Sequence, residues 1–357
     1  MSSSNIVRDI RILTQTTLLP VVPKRWSCQF RFGLSAFSLR PFQSAGSNAR
    51  SVVANPNTAA TKADRLLANV RLAEHLACVG DTLGCVKQSS FVNIDHSDMH
   101  GLTALVGAVQ TRKGRAIPCM VETTYALQIP ASSNRPRVQQ LRQAMKQSRR
   151  TQSFTGHTID ALQTMADRLG FWPRLVFDRG FGNESIATHL AAEGCTFYIR
   201  MKAGRFVELD GQKTAVKQLV SNDATVRLFG LRLRIIRSSK SRRAPEPWYI
   251  LTNDLSSSRT KIVEVYYHRF EIEETFRDIK HIFEYKRTRL TKPNSLKVLL
   301  WFVSIGIALL YAVTKPTRHN IQAGHLGCAK ATSSCNRPTA CCCGVMAVGG
   351  GSEGGSV

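Results

Sequence analysis

The chain has 357 residues, of which 49 are Lys or Arg and 24 are Asp or Glu, so its formal net charge is +25. Its 10 cysteines show no disulfide framework, which excludes a small disulfide-bonded secreted fold and favours free thiols in a reducing compartment. The length allows one large or two ordinary domains with a substantial core. The positive charge extends over most of the chain and favours polyanionic partners, above all nucleic acid.

The first segment, residues 1–55, is basic and has a single acid, Asp9. It resembles a transit peptide, but it lacks the apolar run of a secretory signal. Residues 56–90 are predicted to form a helical region, with an amphipathic helix over 61–77. The basic side chains Lys62, Arg65 and Arg71 on this helix are either contacts to DNA phosphates or an ordinary solvated face.

Residues 91–203 carry the pattern of an α/β core. Three β-rich runs begin at Phe91, Leu102 and Ala116, and the turn signals between them predict an antiparallel meander. Helical patterns follow over 138–149 and 158–169. The sequences PRLVFD and CTFYIRMK then read as strands on either side of a helix, NESIATHLAAEG. This order predicts one mixed sheet with flanking helices.

Residues 204–256 are predicted to be a β-rich insertion. The sequences VELDG, TVRLFGLRLRIIR and PWYILTND read as strands, and a basic loop occupies 240–243. The core then resumes over residues 257–316.

The segment VYYHRFEIEETFRDIK in this last part has four polar residues at helical spacing: Tyr266, Arg269, Glu273 and Lys280. Their offsets place all four within a wedge of roughly 60° on one helix face. An apolar stripe (Val265, Ile272, Phe276, Ile279 and Phe283) occupies the adjoining face. The pattern therefore predicts a helix with one buried face and, at the edge of the core, a row of cation, carboxylate and phenol groups.

The run VLLWFVSIGIALLYAV at 298–313 is shorter than the roughly 20 residues that cross a bilayer. A buried core helix is favoured over a membrane span. Residues 317–357 are rich in Gly, Ser, Ala and Cys without periodicity, which predicts a disordered or out-of-frame tail.

Three acids have the positions that metal-dependent phosphoryl transfer requires. Two-metal catalysis needs carboxylates that hold two divalent ions about 4 Å apart. Asp95 lies in the first β-rich run, Asp178 ends a strand predicted to lie beside it, and Glu273 comes from the polar row of the late helix. Asp98 is an alternative to Asp95, because the sequence DHSD offers two acids and the strand register is uncertain.

The same residues resemble the IS4-type DDE transposases. Tyr266, Arg269, Glu273 and Lys280 match the Y-x2-R-x3-E-x6-K signature of that family at every spacing. Asp178 lies in FDRGF, which resembles the family's second-aspartate motif. Asp95 lies in IDHSDMHGL, which, with GRAIP at 114–118, resembles its first-aspartate strand and those that follow. The resemblance covers roughly residues 60–315.

This resemblance implies an RNase H-like catalytic domain, with the β-rich insertion before the last catalytic helix, that performs cut-and-paste transposition through a DNA hairpin. Asp95, Asp178 and Glu273 would hold two Mg²⁺ ions, for which Mn²⁺ can substitute. The partners would be terminal inverted repeats and target DNA, bound by a homodimer in the bacterial cytoplasm, associated with the nucleoid and not with a membrane.

The resemblance also implies DNA contacts. The residues concerned are Tyr266, Arg269, Arg277, Lys280, Arg179 and Trp248. Trp248 would stack on an extruded base, and the alternative for it is a core position. Tyr266 and Arg269 have the alternative of a structural cluster, and Arg179 that of pairing with acids. For the whole protein, the alternative function is a truncated, catalytically inactive remnant that still binds DNA.

Overall fold

The computed structural model describes residues 56–84, 86–99, 101–126, 153–238, 246–281 and 290–313, with short helical pieces between 139 and 147. The sequence predictions for 1–55, for the basic loop at 240–243 and for 317–357 lie outside the described residues.

The described part of the chain begins with two helices and ends with three, and most of its strands follow one another directly. The helices are α1 (Pro56–Leu67), α2 (Val70–Gly84), α3 (Phe154–Leu169), α4 (Glu184–Ala192), α5 (Arg259–Tyr267), α6 (Phe270–His281) and α7 (Pro293–Val313). The strands are β1 (Phe91–Met99), β2 (Leu102–Gln110), β3 (Ala116–Tyr125), β4 (Arg174–Phe177), β5 (Phe197–Met201), β6 (Phe206–Leu209), β7 (Gln212–Ala215), β8 (Asp223–Leu228), β9 (Leu231–Arg237) and β10 (Tyr249–Thr252).

All ten strands belong to one mixed sheet in the order β3-β2-β1-β4-β5-β10-β9-β8-β6-β7. Strands β1 to β3 form the predicted antiparallel meander. Strand β4 then pairs in parallel with both β1 and β5, so the prediction that the strand before Asp178 lies beside the first strand is confirmed. The architecture is mixed α/β.

The predicted β-rich insertion continues the core sheet. Strand β10 pairs antiparallel with β5 on one side and with β9 on the other. The run TVRLFGLRLRIIR folds as a hairpin of β8 and β9, because Phe229 and Gly230 form a tight turn in its middle. Strand β7 is absent from the sequence prediction, since its residues QKTA have no apolar alternation.

Helices cover both faces of the core sheet. On one face, α2, α6 and α7 share a buried cluster with β2 and β3, centred on Trp301 and Phe302 of α7. On the other face, α3 and α4 pack against β1, β4 and β5. The window Pro293–Ala312 has the length and apolarity of a membrane span, but 72% of it is buried inside the protein, as expected for a core helix.

The helix predicted over 61–77 is divided in two. Helix α1 ends at Leu67, and the Asn69 side chain accepts a hydrogen bond from the Leu72 amide at 3.3 Å. A polar side chain that satisfies a free amide in this way starts a new helix. The break lets both α1 and α2 place apolar residues on the cluster around α7.

Candidate active site

Two of the three predicted acids emerge side by side from neighbouring strands. Ile94 of β1 is paired in parallel register with Phe177 of β4, and the next residue in each chain segment is Asp95 or Asp178. Adjacent strands are separated by about 4.8 Å. The sheet alone therefore brings these two carboxylates to one level at the carboxyl edge of β4.

The third acid comes from α6, which is not continuous with the helix before it. Helix α5 ends at Tyr267, residues 268 and 269 form a turn, and α6 begins at Phe270. The prediction of one helix that carries Tyr266, Arg269, Glu273 and Lys280 is wrong in this respect.

Side chains of β1 and β2 hold this turn in place. Asn93 donates a hydrogen bond from Nδ2 to the His268 carbonyl at 3.1 Å. Gln110 donates from Nε2 to the Val265 carbonyl at 3.0 Å and to Asn93 Oδ1 at 2.7 Å. Carbonyls at a helix end lack intrahelical partners, so these two amides stabilise the interruption and fix it to the sheet.

A second acid on α6, Glu271, anchors the helix to the loop between β2 and β3. Its carboxylate is buried and accepts hydrogen bonds from the amides of Thr111, at 2.8 Å, and Gly114, at 3.3 Å. One turn further, the Thr275 hydroxyl bonds with both the amide and the carbonyl of Ala116. Glu271 therefore has a structural role, and Glu273 is left 47% exposed on another side of the helix.

The Arg269 guanidinium joins acids from the sheet and from the helix. Its side chain is only 4% exposed, and Nη1 lies 3.3 Å from Asp95 Oδ2. Its Nη2 pairs with Glu273 Oε1. The guanidinium also lies over the ring of Phe270, 4.7 Å from its centre, and near that of Tyr266. Arg269 thus provides the positive charge that lets Asp95 and Glu273 approach each other.

The charge balance of the site is incomplete. Burial raises the pKa of Asp95 from 3.8 to about 6; Arg269 partly offsets this, while Asp178 and Glu273 add repulsion. One carboxylate oxygen of Asp178, Oδ1, is buried and has no hydrogen-bond partner among the described residues. A buried, unpaired carboxylate oxygen is costly, and a cation beside it would remove that cost.

The donor chemistry of this site fits a hard divalent cation. Mg²⁺ prefers oxygen ligands and commonly takes only one or two carboxylates together with water and substrate phosphate. In the described part of the chain, no three metal-ligating side chains are already gathered around one point. In this conformation Arg269 pairs with one oxygen of Asp95 and one oxygen of Glu273.

An open cleft of about 320 Å³ lies between the end of β1 and α6. Asp95 and Glu273 line it together with the cations Arg277 and Lys280. Arg277 is 59% exposed and pairs with Glu274. The cleft therefore combines acids that suit a metal with cations that suit phosphate.

The remaining predicted residues are placed as follows. Trp248 is 6% exposed and packs edge-on against Tyr266, with the ring centres 5.4 Å apart, in agreement with the core alternative. Arg179 is exposed in the short turn after Asp178. Asp98 is exposed and, three residues after Asp95 on β1, faces the opposite side of the sheet. It accepts a hydrogen bond from the Thr103 hydroxyl.

Tyr266 is fully buried, which raises its pKa, and its hydroxyl has no hydrogen bond of regular geometry among the described residues. His96 is a packing residue, since its ring stacks on Phe181 with the centres 4.3 Å apart. Burial lowers the pKa of His96 to about 4, so it is neutral at physiological pH.

Sequence reasoning missed Asn93, Gln110 and Glu271, which position the turn and α6. A signal for Asn93 was present, because an amide inside the apolar run FVNID needs a buried partner. Nothing local distinguishes Gln110 or Glu271 from ordinary surface residues. Arg200 of β5 was also missed, and its charge acts on the Tyr266 hydroxyl.

Residues 137–310 match the family described as the transposase DDE domain. The matched part is just under half of the chain and includes Asp178 and Glu273. The match begins after β3, so Asp95 lies outside it and is connected to the domain by the pairing of β1 with β4. No curated protein matches the chain.

The raised pKa of Asp95 predicts a pH-dependent gain in stability when its charge is removed. The folded protein holds this proton more tightly than the unfolded chain, so the carboxyl contributes most to stability below about pH 4 and this contribution is lost as the pH rises through about 6. In metal-free buffer near neutral pH, Asp95→Asn should raise the free energy of unfolding by about 1–3 kcal/mol.

Urea denaturation at several pH values measures this effect. The gain should vanish near pH 4, and Asp98→Asn, on the same strand, should show no gain. A loss of stability in Asp95→Asn at neutral pH would contradict the account of the site's charge balance.

Proposed function

We propose that the protein is an IS4-type transposase that cleaves DNA and transfers strands at the ends of an insertion sequence, with divalent metal as cofactor. The observation that carries this proposal is that Asp95 and Glu273 both pair with the buried Arg269 cation, while Asp178 follows the strand beside that of Asp95. The family match over 137–310 supports the transposase class, and the full Y-R-E-K spacing supports the IS4 type and hairpin route.

Asp95, Asp178 and Glu273 are the proposed metal ligands for two Mg²⁺ or Mn²⁺ ions. Such a pair of ions activates the attacking water or 3′-hydroxyl and stabilises the leaving oxygen. The unpartnered Asp178 Oδ1 supplies a free donor, while the oxygens of Asp95 and Glu273 become free when Arg269 turns from them. A phosphate of bound DNA is a suitable new partner for Arg269.

The cations of the cleft hold the DNA in this proposal. Lys280 and Arg277 lie beside Asp95 and Glu273 and would bind phosphates flanking the scissile bond. Arg179, exposed directly after Asp178, would add to this surface. Trp248 packs against Tyr266, and the ring of Tyr266 lies under the Arg269 guanidinium. In this conformation the two buried rings would help to hold the guanidinium in position.

The expected setting is the bacterial cytoplasm, at the nucleoid. The DNA partners are the terminal inverted repeats of the element and a target site, and two copies of the protein would pair the two ends.

Arg269 should compete with metal for the carboxylates. Arg269→Gln removes the cation from Asp95 and Glu273, so the affinity for Mn²⁺ in the absence of DNA should rise about tenfold, the scale of one nearby opposite charge. Isothermal calorimetry measures the affinity. Arg277→Gln, which removes an exposed cation of the same cleft, is the matched control and should change the affinity much less. Weaker Mn²⁺ binding in Arg269→Gln would contradict this role.

DNA cleavage tests the proposed function itself. Purified protein with Mg²⁺ or Mn²⁺ should produce nicks and hairpins on labelled duplexes that carry the element's ends. Glu273→Gln should lower the cleavage rate by at least about a thousandfold. The bound ion stabilises the charge of the transition state by several kcal/mol, and this variant removes one of its ligands.

Glu274→Gln is the control, because Glu274 follows Glu273 on α6 and pairs instead with Arg277 and Arg115. Retained cleavage in Glu273→Gln would refute the assignment of this acid. Binding of the duplex by the unaltered protein without any cleavage would instead identify a catalytically inactive remnant.

A further inference from the structure

A second cleft lies in the part of the sheet formed by β6 to β9, apart from the three acids. Its volume is about 460 Å³, and it is bordered by the hairpin β6–β7 and the hairpin β8–β9. Its lining includes two aromatic rings, Phe206 and Phe229, and two exposed cations, Lys213 and Arg227. Among the described residues that line it, Glu208 is the only acid.

One aromatic ring of this cleft, Phe206, is open to a ligand, and the other, Phe229, is partly buried against the core. Phe206 is 52% exposed at the start of β6, although a large apolar side chain at such a position gains little from folding. The Lys213 ammonium lies 5.2 Å from the centre of the Phe206 ring. The Arg205 guanidinium lies 5.1 Å from the centre of the Phe229 ring. Each ring therefore has a cation next to it.

The two hairpin turns differ in a way that turn geometry does not require. Asp210 and Gly211 turn between β6 and β7, with φ of 49° and 79°. Phe229 and Gly230 turn between β8 and β9, with φ of 56° and 73°. Asp is among the residues preferred at the first position of such a turn, whereas a bulky residue with positive φ is an outlier with a conformational cost. The second hairpin thus keeps an aromatic ring at its tip despite a conformational cost.

We propose that this cleft binds unpaired nucleotides of single-stranded DNA. Bases would stack on Phe206 and Phe229, and Lys213 and Arg227 would bind the phosphates between them. Exposed aromatic rings beside cations are the usual means of holding single strands, since every base has a face that can stack. Bases within a duplex are already stacked on each other, so exposed rings favour the unpaired form.

The fold places this cleft within reach of the candidate active site. Phe206 follows Met201 by five residues, a span of at most roughly 18 Å of chain. Met201 ends β5 and packs beside Gly182, four residues after Asp178. The identity of the nucleic acid rests on the proposed function: a strand opened during cleavage would be the source of the unpaired nucleotides.

Fluorescence anisotropy with two labelled probes tests the proposal. One probe is a short oligothymidine, and the other is an abasic oligomer with the same number of phosphates. The unaltered protein should bind the oligothymidine more tightly. Phe206→Ala should weaken oligothymidine binding at least about fivefold, the lower end of what one stacked base contributes, and leave abasic binding unchanged. Phe206→Tyr retains a ring and should keep most of the affinity.

Controls separate stacking from general charge and from folding. Val220→Ala shortens a fully exposed apolar side chain elsewhere in the same region (98% exposed) and should change neither affinity. Lys213→Gln should weaken both probes and lower the salt dependence of binding by about one phosphate contact. Equal effects of Phe206→Ala on both probes, on neither, or on a duplex as much as on the single strand would overturn the proposal.

The test is independent of the metal site. Oligothymidine binding is measured in metal-free buffer, and loss of cleavage is measured separately through Glu273→Gln. Failure of this inference therefore differs in its readout from failure of the proposed function.

Discussion

The organisation of the site depends on one buried cation, the guanidinium of Arg269. Three carboxylates near one another at the edge of a low-dielectric core repel each other and lose hydration. Arg269 offsets part of that cost by pairing with Asp95 of the sheet and Glu273 of the helix. The offset is partial, since the pKa of Asp95 stays raised to about 6 and Asp178 keeps an unpartnered oxygen. A site with this imbalance is stabilised further by a bound cation.

The sheet holds Arg269 in position through the turn between α5 and α6. Asn93 and Gln110 bind carbonyls of that turn, and Glu271 fixes the start of α6 to the loop after β2. These polar contacts come from β1, which also carries Asp95, and from β2. The position of the helix acid relative to the sheet acids is therefore set by hydrogen bonds of definite length rather than by apolar packing alone.

The sequence contained much of this arrangement. Short-range turn signals were sufficient for the β1–β3 meander, and an apolar run ending in Asp178 was sufficient for the strand beside β1. The interruption between α5 and α6 was not predictable from periodicity, because it depends on two amide side chains more than 150 residues away in the chain. The sequence also did not show that the run TVRLFGLRLRIIR divides into the two strands β8 and β9, since Phe229 is not a usual turn residue.

The site residues show the same division. Spacing alone grouped Arg269 with Glu273, but only the fold shows that Arg269 also reaches Asp95. The strand register places Asp95, and not Asp98, on the side of Arg269, which the sequence DHSD alone did not indicate. Trp248 shows the limit of a motif, because its spacing says nothing about whether the ring is exposed or, as here, packed on Tyr266.

Cleavage of the polypeptide by bound iron tests whether Asp95, Asp178 and Glu273 hold metal at one site. Fe²⁺ in place of Mg²⁺, with ascorbate and peroxide, releases hydroxyl radicals that cut the backbone close to the ion. Cuts are expected near Asp95, Asp178 and Glu273, and they should be suppressed by excess Mg²⁺ and lost in Asp178→Asn. Cuts confined to other parts of the chain, or an unchanged pattern in Asp178→Asn, would contradict the assignment of these three acids as one metal site.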